Sequence, residues 1–173
     1  MMKPIRMNIM ESSFESAIPI ILKHEGGYCW VEGDAGGETN FGISKRSYPS
    51  VDIKNLTSAD ASVIYKRDWW DRYGYGRIGA QVIATKTLDM AVNMGAEPAH
   101  KIVQQAVNAI GAPPIDCDGD LGPQTLAAVN AAATATLLPA IQGLQANHYR
   151  NIVLARPQDA KFLDNWLHRA YDC

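Results

Sequence analysis

His24-Glu25-Gly26-Gly27-Tyr28, continuing as CWVEGDAGGETNFGI to Ile43, is the stretch on which the reading of this 173-residue chain turns. Upstream of it, Phe14, Ile18 and Leu22 recur at a spacing of four, a one-sided apolar stripe. The stripe predicts a helix opening after Ser12 or Ser13, serines being good N-caps. Pro19 should bend this helix, because proline lacks the amide hydrogen that the preceding turn uses. Gly26 and Gly27 stop it, Gly26 being suited to a left-handed cap. Glu25 therefore falls where a helix ends. The glycine-rich residues 28–43 break the helical pattern and read as a loop or small β-hairpin.

Outward from this stretch the chain is mostly helical. Thr57 followed by Asp60 predicts a capping box opening a helix through Ile64, Tyr65, Asp68, Trp69 and Asp71. A further helix runs from about Ala80 to Met94 and stops at Gly95. Pro98, at a first-turn position, begins the next, with Ile102, Val103, Ala106, Val107 and Ile110 as its buried face and Gly111 as its stop. After the turn-rich APPIDCDGDLGPQT come a short alanine-rich helix with Leu126 and Val129, a helix over about Leu137 to Leu154, and a last one after Pro157 through Phe162, Leu163, Trp166 and Leu167. The fold class is mainly α, with a seam near Gly95–Pro98 dividing the chain into adjoining parts at 12–95 and 96–173.

Composition removes several classes. Sixteen Lys and Arg against eighteen Asp and Glu leave a formal charge of −2, and neither part is basic: residues 1–95 carry 11 basic and 11 acidic groups, residues 96–173 carry 5 and 7. Nucleic acid is excluded as a partner on that count, since phosphate binding needs clustered positive charge. No apolar run approaches the roughly 20 residues that span a bilayer, and the opening MMKPIRMNIMESSFES is unlike a secretory signal. Cys29, Cys117 and Cys173 are odd in number and lack CxxC spacing, which argues for reduced thiols in a protein made in the cytoplasm, with no metal and no cofactor. Asp116, Asp118 and Asp120 alternate as in a calcium loop, but glycine falls at the fourth place and Ala127 at the twelfth, so a turn feeding the helix at Pro123 is the better account.

The chemistry concentrates in the glycine-rich stretch. A carboxyl at a helix C-terminus meets the negative end of the helix dipole, and Tyr28 and Trp30 nearby would limit its hydration; both favour the protonated form that a general acid needs. Asp34 lies nine residues on and Thr39 five further, so a hairpin would return them to face Glu25 across a cleft. A protonated carboxyl, an ionised carboxylate and a water-holding hydroxyl are the parts of a glycosidase site. Asp34 in GDAGG also suits a plain turn, and Glu38 is a competing carboxylate. Asp89 and Asn93, one helical turn apart, suit either the floor of a sugar groove or a packing pair between helices. Trp69, Trp70 and Tyr73 could stack on sugars or fill the core. Cys29 with a histidine would make a cysteine peptidase, but it lies past a helix C-terminus where a thiolate gains nothing, and reads as a small packing residue.

The pattern HEGGY…D.GG.T.FGI, then SxxxYPxxDIKNLTxxxAxxIYKRDWWD, then DMAVNMG, resembles glycoside hydrolase family 108, peptidoglycan muramidases that include phage endolysins and export-associated bacterial enzymes. KIVQQAVNAIG, DGDLGPQTLAAVNA and FLDNWLHRA are similar to the peptidoglycan-binding-like domain that follows that module. The resemblance implies a lysozyme-like helical fold cleaving the β-1,4 bond between N-acetylmuramic acid and N-acetylglucosamine, with the glutamate of EGGY, Glu25, as the catalytic acid. A more distant likeness to phage-type lysozymes implies that Asp34 and Thr39 position water. Tyr28, Glu38, Asp89 and Asn93 are the candidate contacts to the glycan strand. The expected partner is peptidoglycan, reached through a holin or a secretion system, by a monomer. The rival is a wall-binding or export-assisting module that keeps the fold and lacks the reaction.

Overall fold

The computed structural model describes residues 11–30 and 37–172. Among these the chain forms seven α-helices and one two-stranded hairpin. Helix α1 (Phe14–Glu25) begins after Ser13 and buries Phe14, Ala17, Ile18 and Ile21. Its cap, Gly26, has φ 73° and ψ −165°. The sign of φ is as expected, but the ψ lies outside the left-handed helical well, in a region that glycine alone adopts without strain. The chain thus leaves α1 extended rather than curling back.

Strands β1 (Thr39–Asn40) and β2 (Ile43–Ser44) pair antiparallel, Thr39 opposite Ser44 and Asn40 opposite Ile43. Between them Phe41 and Gly42 both take positive φ, 49° and 74°, the pattern of a type I′ hairpin turn. Phenylalanine seldom sits there. Its carbonyl is held by the Tyr65 hydroxyl at 2.8 Å. The buried Asn40 amide donates to the carbonyls of Ile53 and Leu56, 3.1 Å each, tying the hairpin to the next loop.

Thr57 and Asp60 form the reciprocal capping box of α2 (Ser58–Tyr65). The helix expected through Asp71 changes character at Lys66: residues Lys66–Asp71 form a π-helical turn. The wider turn separates the two tryptophans. Trp70 enters the core, edge-on to Phe14 at 5.7 Å and to Tyr75 at 6.2 Å. Trp69 remains half-buried at a cavity wall.

Helix α3 (Gln81–Met94) is the central strut, with residues 83–91 all buried. It packs against α1 on one side and α4 (Ala96–Ala109) on another, and meets α6 (Thr134–Ala155). Gly95, at φ 94°, ends α3 and starts α4 with no linker. Helix α4 begins at Ala96, two residues before Pro98, and the proline sits in the first turn where its missing N–H has no helical partner to lose. Helix α5 (Pro123–Ala131) follows the aspartate-rich turn. The buried Gln104 side chain organises that turn, accepting from Gly119 N at 2.8 Å and donating to Asp118 Oδ1 at 2.7 Å and the Asp120 carbonyl at 2.9 Å. A 3₁₀ turn, Pro157–Phe162, leads into α7 (Leu163–Tyr171).

One apolar core runs from Phe14 of α1 to Ile141 of α6, across the seam. A smaller cluster of Ala146, Tyr149 and Ala170 fastens α7 to α6, with Trp166 stacked on Tyr149 at 5.4 Å. Cys29 is exposed rather than packed, and its backbone does the work, exchanging two hydrogen bonds with Thr39 at 2.7 and 2.9 Å.

Candidate active site

Glu25 is the last residue of α1, and its carboxylate is enclosed to 18% exposure between the hairpin turn and α7. A side chain at Gly42 would place a Cβ 2.6 Å from Glu25 Oε2 and 2.6 Å from the Tyr65 hydroxyl, so the turn must be glycine for the carboxylate to lie there. The other oxygen, Oε1, accepts a 2.7 Å hydrogen bond from Nη2 of Arg169. Tyr28 and Trp30, expected to shelter Glu25 from water, are both exposed; Arg169 and the Gly42 turn enclose it instead.

Arg169 sits in the last turn of α7 and is the hub of a charged network. Its Nε donates to both oxygens of Asp89, at 3.1 and 3.2 Å, and its Nη2 to Asp89 Oδ1 at 2.8 Å. Asp89 also meets His24 Nδ1 at 2.8 Å, and the other ring nitrogen of His24 meets Asp172 at 3.1 Å. Lys86, one turn before Asp89 on α3, donates to the carbonyls of Arg169 and Asp172 at 2.7 and 2.9 Å. Burial works against the charge on Arg169, but the carboxylates of Asp89 and Glu25 outweigh it and raise its pKa above the usual arginine value. Burial likewise opposes ionisation of Asp89, yet its bonds to His24 and Arg169 prevail and hold its pKa below the ordinary aspartate range. The bond to Asp89 raises the His24 pKa against its burial, with Asp172 helping.

Two cavities flank this network. One, about 550 Å³, is lined by Gly42, Ile43, Tyr48, Tyr65, Asp68, Trp69, Arg72, Tyr73 and Val92, between the hairpin and the π-helical turn. The other, about 370 Å³, is lined by His24, Asn93, Asn165, Trp166, His168, Arg169 and Asp172. Glu25 lies between them, touching Gly42 of the first and Arg169 of the second. The first is large enough for a sugar ring and carries the features of a carbohydrate groove: two half-exposed aromatic faces, Trp69 and Tyr73, with polar groups at the rim.

The residues singled out in the sequence are distributed unevenly around this centre. Thr39 is half-buried in β1, beside Cys29 and hence close in the fold to the chain leaving Glu25. Asp34 lies outside the described residues. Tyr28 and Glu38 meet each other, the hydroxyl donating to Oε1 of Glu38 at 3.2 Å. Asp89 has no exposed surface, so no sugar can touch it; of its two sequence readings the packing role fits, and it acts through His24 and Arg169. Asn93 is exposed at the second cavity, accepting from the Tyr149 hydroxyl at 2.8 Å. Sequence reasoning missed Arg169 and Gly42. A glycine in a two-residue hairpin turn was a usable signal for the second. For Arg169 no local signal existed, since 144 positions separate it from Glu25.

A mainly α, lysozyme-like fold with a part-buried glutamate against the glycine that lines an aromatic cavity is compatible with a glycoside-hydrolase class of site. Comparison with known proteins agrees: residues 18–95 match Glycosyl hydrolase 108, and residues 98–171 match the Predicted Peptidoglycan domain. The chain is thus similar to the glycosyl hydrolase 108 family over its first part and to a peptidoglycan domain over its second. Among solved structures it is similar to that of Brucella abortus SagA, with 25% identity, a TM-score of 0.65, and coverage of 92% of this chain and 96% of the other. No curated protein matches the sequence significantly.

Proposed function

We propose that the protein is an N-acetylmuramidase, hydrolysing the β-1,4 bond between N-acetylmuramic acid and N-acetylglucosamine in peptidoglycan. The observation that carries this reading is the placement of Glu25: one carboxyl oxygen is tethered and the other lies against the glycine that lines the groove. In this proposal Glu25 is the general acid that protonates the glycosidic oxygen, while Asp34 and Thr39 hold the attacking water on the opposite face and the reaction inverts the anomeric centre. Trp69 and Tyr73 offer apolar faces to the sugar rings. Tyr28 and Glu38, bonded to each other, contact the glycan strand, and Asn93 presents an amide at the second cavity. The C-terminal part, 96–173, supplies affinity for the wall, and the catalytic part is 12–95.

Peptidoglycan lies beyond the cytoplasmic membrane, and among the described residues no single helix is long and apolar enough to cross one. Passage through a holin or a secretion system would deliver the enzyme. Mass spectrometry of fragments from digested sacculi tests the bond cleaved. Muramic acid at new reducing ends supports the reading. Reducing-end glucosamine, anhydro-muramic products or freed stem peptides would each reassign the chemistry, and absence of any product would leave a binding module.

A further inference from the structure

Arg169 belongs to α7, inside the segment that matches a peptidoglycan domain, yet its guanidinium is built into the surroundings of Glu25. The backbone that carries it is fixed from the other part of the chain: Lys86 of α3, itself buried, binds the carbonyls of Arg169 and Asp172. Asp89, also of α3, takes three of the guanidinium's hydrogen bonds and neutralises its charge. What reaches Glu25 is therefore one oriented N–H rather than an unpaired positive charge. That bond holds Oε1 and leaves Oε2 beside Gly42 at the groove.

We propose that Arg169 is a positioning residue that fixes Oε1 of Glu25 so that Oε2 presents the proton to the glycosidic oxygen, making the C-terminal part a component of the active site as well as a wall-binding unit. The inference rests on Glu25 being the acid. In the step concerned, the proton passes from Oε2 to the bridging oxygen as the C1–O bond breaks. Water on the opposite face bonds to C1 and loses its proton to solvent, from which Glu25 is reprotonated, so the sum is hydrolysis. Free rotation of the Glu25 carboxyl would let the proton-bearing oxygen miss the leaving group, and misplacement on the order of 1 Å can cost about 100-fold in rate.

The test uses the full-length protein and purified sacculi. Arg169→Lys keeps a cation on Asp89 but cannot hold two carboxylates in the fixed fork of a guanidinium. The expected result is a fall in kcat of about 100-fold with KM within about twofold of wild type. The pH profile of kcat should shift as well, an effect that a purely structural role would not produce. Should that variant fail to fold, Asp89→Asn combined with Arg169→Gln removes both buried charges together, which protein interiors tolerate, and the same kcat loss is expected. Either folded variant with kcat within about threefold of wild type and an unmoved pH profile would overturn the proposal. Glu25→Gln assayed alongside separates the two claims. If it retains full turnover, the acid assignment itself fails; if it is inactive while the Arg169 variants are active, only the positioning role fails.

Discussion

Replacing Asp89 by alanine strikes the network at its most enclosed point. Asp89 is fully buried and accepts from His24 Nδ1 at 2.8 Å, from Arg169 Nε at 3.1 and 3.2 Å, and from Arg169 Nη2 at 2.8 Å. Its loss leaves Arg169, 12% exposed at its side chain, with Glu25 as the carboxylate nearest to hand, and strips His24 of its buried partner. Removing one member of a buried ion pair costs about 3–5 kcal/mol, because the remaining charge stays desolvated. In a domain of this length each kcal/mol lowers Tm by roughly 2–4 °C, so the expected fall is roughly 6–20 °C. Far-UV circular dichroism melts of wild type and variant at neutral pH, with urea titrations to convert midpoints into free energies, measure it. Activity should fall too, since Arg169, no longer oriented by Asp89, would not hold Oε1 of Glu25 in one fixed geometry. A loss below about 1 kcal/mol would refute the reasoning, placing Asp89 and Arg169 in an environment as forgiving as the protein surface.

Four further outcomes are expected. Gly42→Ala forces a side chain into a backbone at φ 74° and to 2.6 Å from Glu25 Oε2, so stability should drop by about 1–3 kcal/mol and turnover at least tenfold, measured by melting and sacculus digestion. His24 has a raised pKa, so its contribution to stability is complete below its ordinary value of 6.5 and is lost as pH rises through the higher value it has in the fold; His24→Ala should flatten that alkaline decline in Tm. Asp89, with a lowered pKa, contributes above its ordinary 3.8 and stops doing so as pH falls through its lower folded value, which acid melts of the wild type would register. Tyr65→Phe removes the 2.8 Å bond that holds the Phe41 carbonyl in its positive-φ turn, and should cost about 1 kcal/mol by urea titration.

The helices were legible because their signals are local. The capping box at Thr57 and Asp60, the stops at Gly26 and Gly95, and the apolar faces of α1 and α4 each declare themselves within one or two turns of sequence. The π-helical turn at Lys66–Asp71 did not, because Phe14, against which Trp70 packs, lies far from it in sequence. Glu25 could be singled out by its place at a helix end before two glycines. Its environment could not be read: the aromatic neighbours in sequence, Tyr28 and Trp30, face solvent, while the groups that enclose it come from a hairpin turn and from the last helix. Asp89 shows the same limit. Its spacing from Asn93 suggested a shared polar face, but burial on the central helix separates them, one paired inward and one exposed at a cavity.

The central claim is that a proton on Glu25 drives bond cleavage. Turnover of purified sacculi by Glu25→Gln, followed as new reducing ends and accompanied by a melt and a sacculus pull-down, tests it most directly. The amide keeps the shape and can still accept from Arg169 through its oxygen, so folding and wall binding should match wild type while reducing-end release falls to background. Release at the wild-type rate by a folded Glu25→Gln protein would contradict the account.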